Sequence, residues 1–97
     1  MKERIKALVI ESLEELKEVN NVNFELKEDT VLLGEGAVMD SFDFVNFVAI
    51  LEEKISNEFD KAITIVSEKA FSKKYSPFKT VDRIVDYIAE LLNEADK

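Results

Sequence analysis

Between residues 5 and 19 the apolar positions recur at intervals of three and four: Ile5, Leu8, Val9, Leu13, Leu16 and Val19, with charged residues between them. That spacing puts them on one face of a helix, and Asn20-Asn21 supplies a stop. The pattern then loses its period. Residues 20–40 read as a long connection, though not a purely polar one. Phe24, Leu26, Val31, Leu32 and Leu33 are available to pin it to a core, and Gly34 and Gly36 supply backbone freedom near its end. Connections of this length are uncommon in compact domains and are often functional.

Helical periodicity returns at Asp40-Ser41. Asp40 is a good N-cap, and Asp43 stands where the acid of a capping box would stand, although Glu or Gln fits that place better. An acid in the first turn also suits the helix dipole. The spacing predicts a helix to about Asn57. Ile63–Val66 is apolar and β-branched but too short and isolated to argue a sheet. Ser67–Phe71 reads as a single helical turn capped by Ser67, and Ser76-Pro77 breaks the chain. Thr80 then caps a last helix that turns Val81, Ile84, Val85, Ile88, Leu91 and Leu92 inward. The expectation is one all-α domain over residues 1–97. It has three longer helices and one short one, arranged as an antiparallel-type bundle with a long loop between helices 1 and 2.

The second helix has more apolar surface than a core-facing stripe requires. At about 100° per residue, Phe44, Phe47, Val48, Leu51 and Ile55 gather on one side as core candidates. Phe42, Val45 and Ala49 gather on another, flanked by Glu52 and Glu53, with Ser41 beside them at the helix start. Two readings of this second patch stand at this point. It packs inside, under the long loop, or it is displayed for a partner. Ser41 likewise has two readings, a helix-start residue and nothing more, or a site of modification.

Composition narrows the chemistry. The chain has no Cys and no His, so thiolate chemistry, disulfides, the commonest general base and the commonest transition-metal ligand are all absent. Net charge is −8, which disfavours nucleic acid and anionic membrane surfaces as partners and favours basic proteins. The charge is segregated. Residues 40–60 carry six acids (Asp40, Asp43, Glu52, Glu53, Glu58, Asp60) against Lys54, whereas 61–80 carry five lysines (Lys61, Lys69, Lys73, Lys74, Lys79) against Glu68. The opening MKERIKALVIESLEELKE is too charged for a signal peptide, and no apolar run approaches a membrane span. A soluble, cytoplasmic monomer with no membrane insertion is expected. Without His, Ser41 has no ordinary base to activate it, and no G-x-S-x-G elbow surrounds it. It is better suited to receive a group from another enzyme. A phosphodiester there would lie near the free N–H groups and positive end of a helix.

Asp40-Ser41-Phe42 at the start of an acidic helix, after Leu32-Leu33-Gly34 and a flexible loop, resembles the acyl carrier protein family, whose motif is Asp-Ser-Leu. The run Ala49-Ile50-Leu51-Glu52-Glu53-Lys54-Ile55 is similar to that family's second helix, and the element order agrees over about residues 3–92. The resemblance implies an acyl-carrier-protein-like four-helix bundle. It implies that Ser41 is esterified by 4′-phosphopantetheine, which a metal-dependent phosphopantetheinyl transferase takes from coenzyme A, with Asp40 beside the attachment point. The thiol of that arm would hold acyl groups as thioesters for fatty-acid, polyketide or related specialised biosynthesis. The protein would be a non-catalytic carrier. Its partners would be a loading ligase, a ketosynthase or an acyltransferase, docking on Phe42, Val45, Ala49, Glu52 and Glu53. Cargo would enter an apolar interior lined by Phe47, Leu51 and Ile63.

Three positions depart from the family pattern. Phe42 replaces leucine, Asn46 stands where an acid is typical, and Ala49 is small where a larger apolar residue is common. They imply a carrier tuned for partners other than the general fatty-acid synthase set; the basic segment 61–79 points the same way or else merely solvates a loop, and the run Ser76-Pro77-Phe78-Lys79-Thr80 resembles stand-alone carriers of specialised pathways. An aminoacyl carrier is the alternative within the family, although Met39-Asp40 differs from the His that usually precedes the serine of peptidyl carriers. Outside it stands an unmodified helical adaptor that binds partners through Phe42, Val45 and Ala49. An enzyme using the carboxylates as acid and base has no supporting motif.

Overall fold

A computed structural model describes residues 2–19, 30–67, 70 and 76–95. Among them the chain is all-helical: α1 (Lys2–Val19), α2 (Ser41–Phe59) and α3 (Val81–Ala95), with no strand.

α1 forms because strong helix formers (Lys, Glu, Leu, Ala) carry an apolar stripe at helical spacing. Ile5, Leu8, Val9, Leu13 and Leu16 are buried as that spacing requires. Ser12 is buried on the same face and donates its hydroxyl back to the Leu8 carbonyl at 2.8 Å, which satisfies it without a partner from outside the helix. Val19 departs from expectation. It closes the helix and is 70% exposed.

α2 buries Phe44, Phe47, Val48, Leu51 and Ile55, the stripe expected of it, and runs two residues beyond Asn57 to Phe59. It stops where Asp60 takes up a left-handed backbone (φ 54°, ψ 42°). In α3, Val81, Ile84, Val85, Ile88 and Leu92 are buried, Leu91 is partly buried, and Tyr87 joins them. Thr80 caps α3 as expected, its hydroxyl accepting from the Arg83 amide at 3.3 Å.

α1 lies against both other helices, whereas α2 and α3 do not approach backbone to backbone. Side chains bridge them instead. Phe78, from the turn before α3, stacks edge-on against Phe44 of α2 (5.5 Å between centroids) and against Tyr87 of α3 (6.1 Å). Arg4–Glu58 (2.6 Å) and Glu15–Lys54 (3.3 Å) tie α1 to α2 in an antiparallel sense, and Lys2–Asp86 (3.0 Å) ties α1 to α3.

Of the connection expected over 20–40, residues 20–29, with Phe24 and Leu26, lie outside the described residues. Its second half is pinned as the sequence suggested. Leu32 is fully buried, and Val31 and Leu33 are partly so. Val31 pairs with Thr80 in an isolated antiparallel bridge, in which the Leu32 amide donates to the Lys79 carbonyl at 2.7 Å. Beyond it Gly34 and Gly36 take positive φ (108° and 81°), and the Val38 amide folds back onto the Val31 carbonyl at 2.9 Å. This turn delivers the chain to Asp40. The expected turn at Ser67–Phe71 falls mostly outside the described residues, of which Ala70 is helical and buried.

Candidate functional site

The start of α2 is built by its cap. Asp40 has extended backbone (φ −86°, ψ 177°), and its Oδ1 accepts from the Asp43 amide at 2.8 Å while its carbonyl accepts from the Phe44 amide at 3.0 Å. These two bonds lock the register, so Ser41 is the first helical residue. Ser41 is exposed there, in the first turn, where backbone N–H groups lack helical acceptors and the dipole is positive. The adjoining Met39 is buried at 7% exposure and anchors the incoming chain to the core.

The second apolar patch is displayed rather than packed. Phe42 is 73% exposed, Val45 63%, and Ala49 is exposed as well. The reading that places this patch inside, under the long connection, is therefore set aside. α2, 19 residues long, already fills the interior with its other stripe, and α1 is the helix it packs against among the described residues, which leaves one face wet. Exposed Val66 comes from the segment after α2 and extends the patch. Val45, Val48, Ala49, Glu52, Thr64 and Val66 together line an open, largely apolar groove of about 320 Å³.

The two acids that flank the patch differ in their surroundings. Glu53 is exposed and lies at a polar cleft shared with Glu15, Ile50, Lys54 and Asn57. Glu52 is half-buried, and its Oε2 accepts from the Ile65 amide at 2.8 Å. The sequence pattern put these carboxylates in one class because they are adjacent. The fold separates them by about 100° around the helix. Thr64 and Val66 are members of this surface that periodicity along α2 had no means of finding, since they come from a segment with no period.

Phe47 and Leu51, expected to line an interior for cargo, are fully buried, and Ile63 is partly buried against the same core. Of the basic segment, Lys69, Lys73 and Lys74 lie outside the described residues, whereas Lys61 is half-buried and Lys79 is exposed. Among the described residues no group of three or more carboxylates is placed to hold a metal ion, and no helix is long and apolar enough to cross a membrane.

The site thus presents a primary hydroxyl on the first turn of a long helix, an apolar face running away from it, and carboxylates around both. Ser41 is exposed to solvent there. A phosphodiester on Ser41 Oγ would have open space and a favourable helix end, with the Asp40 charge opposing it in part. The residues present fit such a group. Comparison with protein-family models, with curated proteins and with solved structures finds no match to this chain.

Proposed function

We propose that this protein is an acyl carrier protein, with 4′-phosphopantetheine attached to Ser41. The observation that carries the reading is the exposure of Ser41 on the first turn of α2 directly beside an exposed Phe42–Val45–Ala49 face. A purely structural helix start needs neither feature. Burying Phe42 and Val45 would remove apolar surface from water, so leaving them exposed forgoes about 1.5–3 kcal/mol for each side chain. A surface kept at that cost is suited to transient partners.

In this reading Ser41 Oγ attacks the phosphorus of coenzyme A that bears the pantetheine. The serine O–P bond forms, the P–O bond to the nucleotide breaks, and 3′,5′-ADP leaves. The serine proton passes to a base of the transferase, since this chain has no His. The arm's thiol then carries acyl groups as thioesters, and the protein itself does no chemistry. Phe42, Val45 and Ala49 meet apolar surface on the transferase and on the loading and chain-building enzymes. Glu53 and Asp43 draw basic side chains of those partners. The finer architecture belongs to the same proposal: a four-helix carrier bundle whose fourth, short helix includes Ala70 and whose long loop spans residues 20–40. Support comes from the order of α1, α2 and α3, from helical Ala70, and from Leu32 pinned in the core.

Intact-protein mass after incubation with coenzyme A, Mg²⁺ and a broad-specificity phosphopantetheinyl transferase tests this, with Ser41→Ala alongside. The wild type should gain one phosphopantetheine and Ser41→Ala none. A folded wild type that gains nothing, beside a working control carrier, would make the protein an unmodified adaptor. A gain that survives Ser41→Ala would move the attachment point.

A further inference from the structure

Glu52 occupies an unusual place for an acid on a displayed helix face. It is half-buried, and it spends one carboxylate oxygen on the backbone amide of Ile65, thirteen residues on. Ile65 itself is fully buried, and its neighbour Val66 is exposed. Residues 61–64 and 65–67 have no regular structure, so no ladder of backbone bonds holds this segment to α2. Among the described residues the Ile65 side chain lies in the core, Ile63 packs partly buried against it, and the Glu52 carboxylate accepts from the Ile65 amide. Thr64 and Val66 form one wall of the groove, and Val45, Val48 and Ala49 form the other. The carboxylate sits at the seam.

We propose that Glu52 is a positioning residue: its carboxylate latches residues 64–66 to α2 and so shapes the face beside Ser41, and it does not itself meet the partner. The proposal rests on the carrier reading for its functional half, and on the structure alone for its mechanical half. A hydrogen bond to an ionised acceptor is stronger than a neutral one, and a loop amide left without it is open to water. Glu53, one residue on, is exposed at a polar cleft with Glu15 and Lys54, away from the groove. The outward charge that meets partners is therefore Glu53's, and the groove's second wall depends on Glu52.

Two measurements on Glu52→Ala, Glu52→Gln and Glu53→Gln test the latch. The first follows the Ile65 amide by ¹H–¹⁵N NMR in the unmodified protein. Glu52→Ala should speed its exchange with water by about tenfold or more and move its resonance upfield. Glu52→Gln, whose amide oxygen still accepts, should retain most of the protection, and Glu53→Gln should leave it unchanged. Unaltered exchange of this amide in a folded Glu52→Ala protein overturns the latch. The second follows the rate of phosphopantetheine transfer. Glu52→Ala should be slowed and Glu52→Gln should recover most of the rate, although it lacks the charge. If Glu52→Gln is as slow as Glu52→Ala while its Ile65 amide stays protected, Glu52 acts by charge on the partner and the proposal is wrong. A wild type that accepts no phosphopantetheine defeats the carrier reading, whereas the latch is still decided by the amide.

Discussion

Local preference and observed environment pull apart at Phe42, in the first turn of α2, and at Asp60, just past its end. Phe42 is a large aromatic left 73% exposed. Truncating it removes little packing, so Phe42→Ala should leave the denaturation midpoint nearly unchanged, within about 0.5 kcal/mol. The same substitution should slow phosphopantetheine transfer at least several-fold, because it deletes the largest apolar contact next to Ser41. A large loss of stability instead would mean that Phe42 is covered in solution. Asp60 ends the helix at φ 54°, where a Cβ is unfavourable, although Asp tolerates the region better than most residues. Asp60→Gly should raise stability by about 0.5–1 kcal/mol, read as a higher midpoint of urea unfolding with an unchanged slope.

Pairing of elements is set by the core stripes and adjusted by charge at the edges. Arg4 of α1 meets Glu58 near the end of α2 at 2.6 Å. That hydrogen bond holds the Glu58 carboxyl below its ordinary range and raises Arg4 above its own, with the Coulombic attraction acting in the same direction. A carboxyl depressed in the folded state stabilises the fold above its unfolded pKa, and the contribution is lost as pH falls through the folded one. The Arg4 shift lies too far into alkali to matter at ordinary pH. Glu58→Gln should therefore be slightly less stable than the wild type at neutral pH, and the two should converge below about pH 3–4, past the ordinary carboxyl range. Thermal unfolding of both proteins at pH 7 and pH 3 checks this, and a difference that persists in acid would point to packing rather than charge. The pair is exposed, so the effect is small.

At the scale of the whole molecule, Phe78 holds together what the helices do not. α1 touches α2 and α3, but those two meet through the Phe44–Phe78–Tyr87 ring contacts. Phe78 is 1% exposed and sits beside the Val31–Thr80 bridge that fastens the incoming connection. Phe78→Ala should cost about 3–5 kcal/mol. For a domain of this size, with about 5–15 kcal/mol in total, that is a large part of the margin. Urea unfolding should show it directly, and Phe78→Leu, which keeps most of the volume, should lose less. A cost below about 1 kcal/mol would show that the three helices hold without this bridge.

The helices, their inward faces and the register of Ser41 behind its Asp40 cap were determined by the sequence. These depend on spacing within one element and on bonds spanning three or four residues, which a local pattern records. The same logic placed Thr80 as the second cap and Leu32 as an anchor. It failed at Val19, whose spacing fits the stripe but which is exposed at the last residue of its helix. It missed Tyr87, whose neighbours across the core come from Phe78 and not from its own helix. The exposure of the Phe42–Val45–Ala49 face, the different surroundings of Glu52 and Glu53, and the placement of Val66 beside that face were decided by tertiary structure. An apolar patch on a helix looks the same in sequence whether or not something covers it. Covering is a long-range event, settled by where α1 and the unpatterned segments 30–40 and 61–67 come to rest.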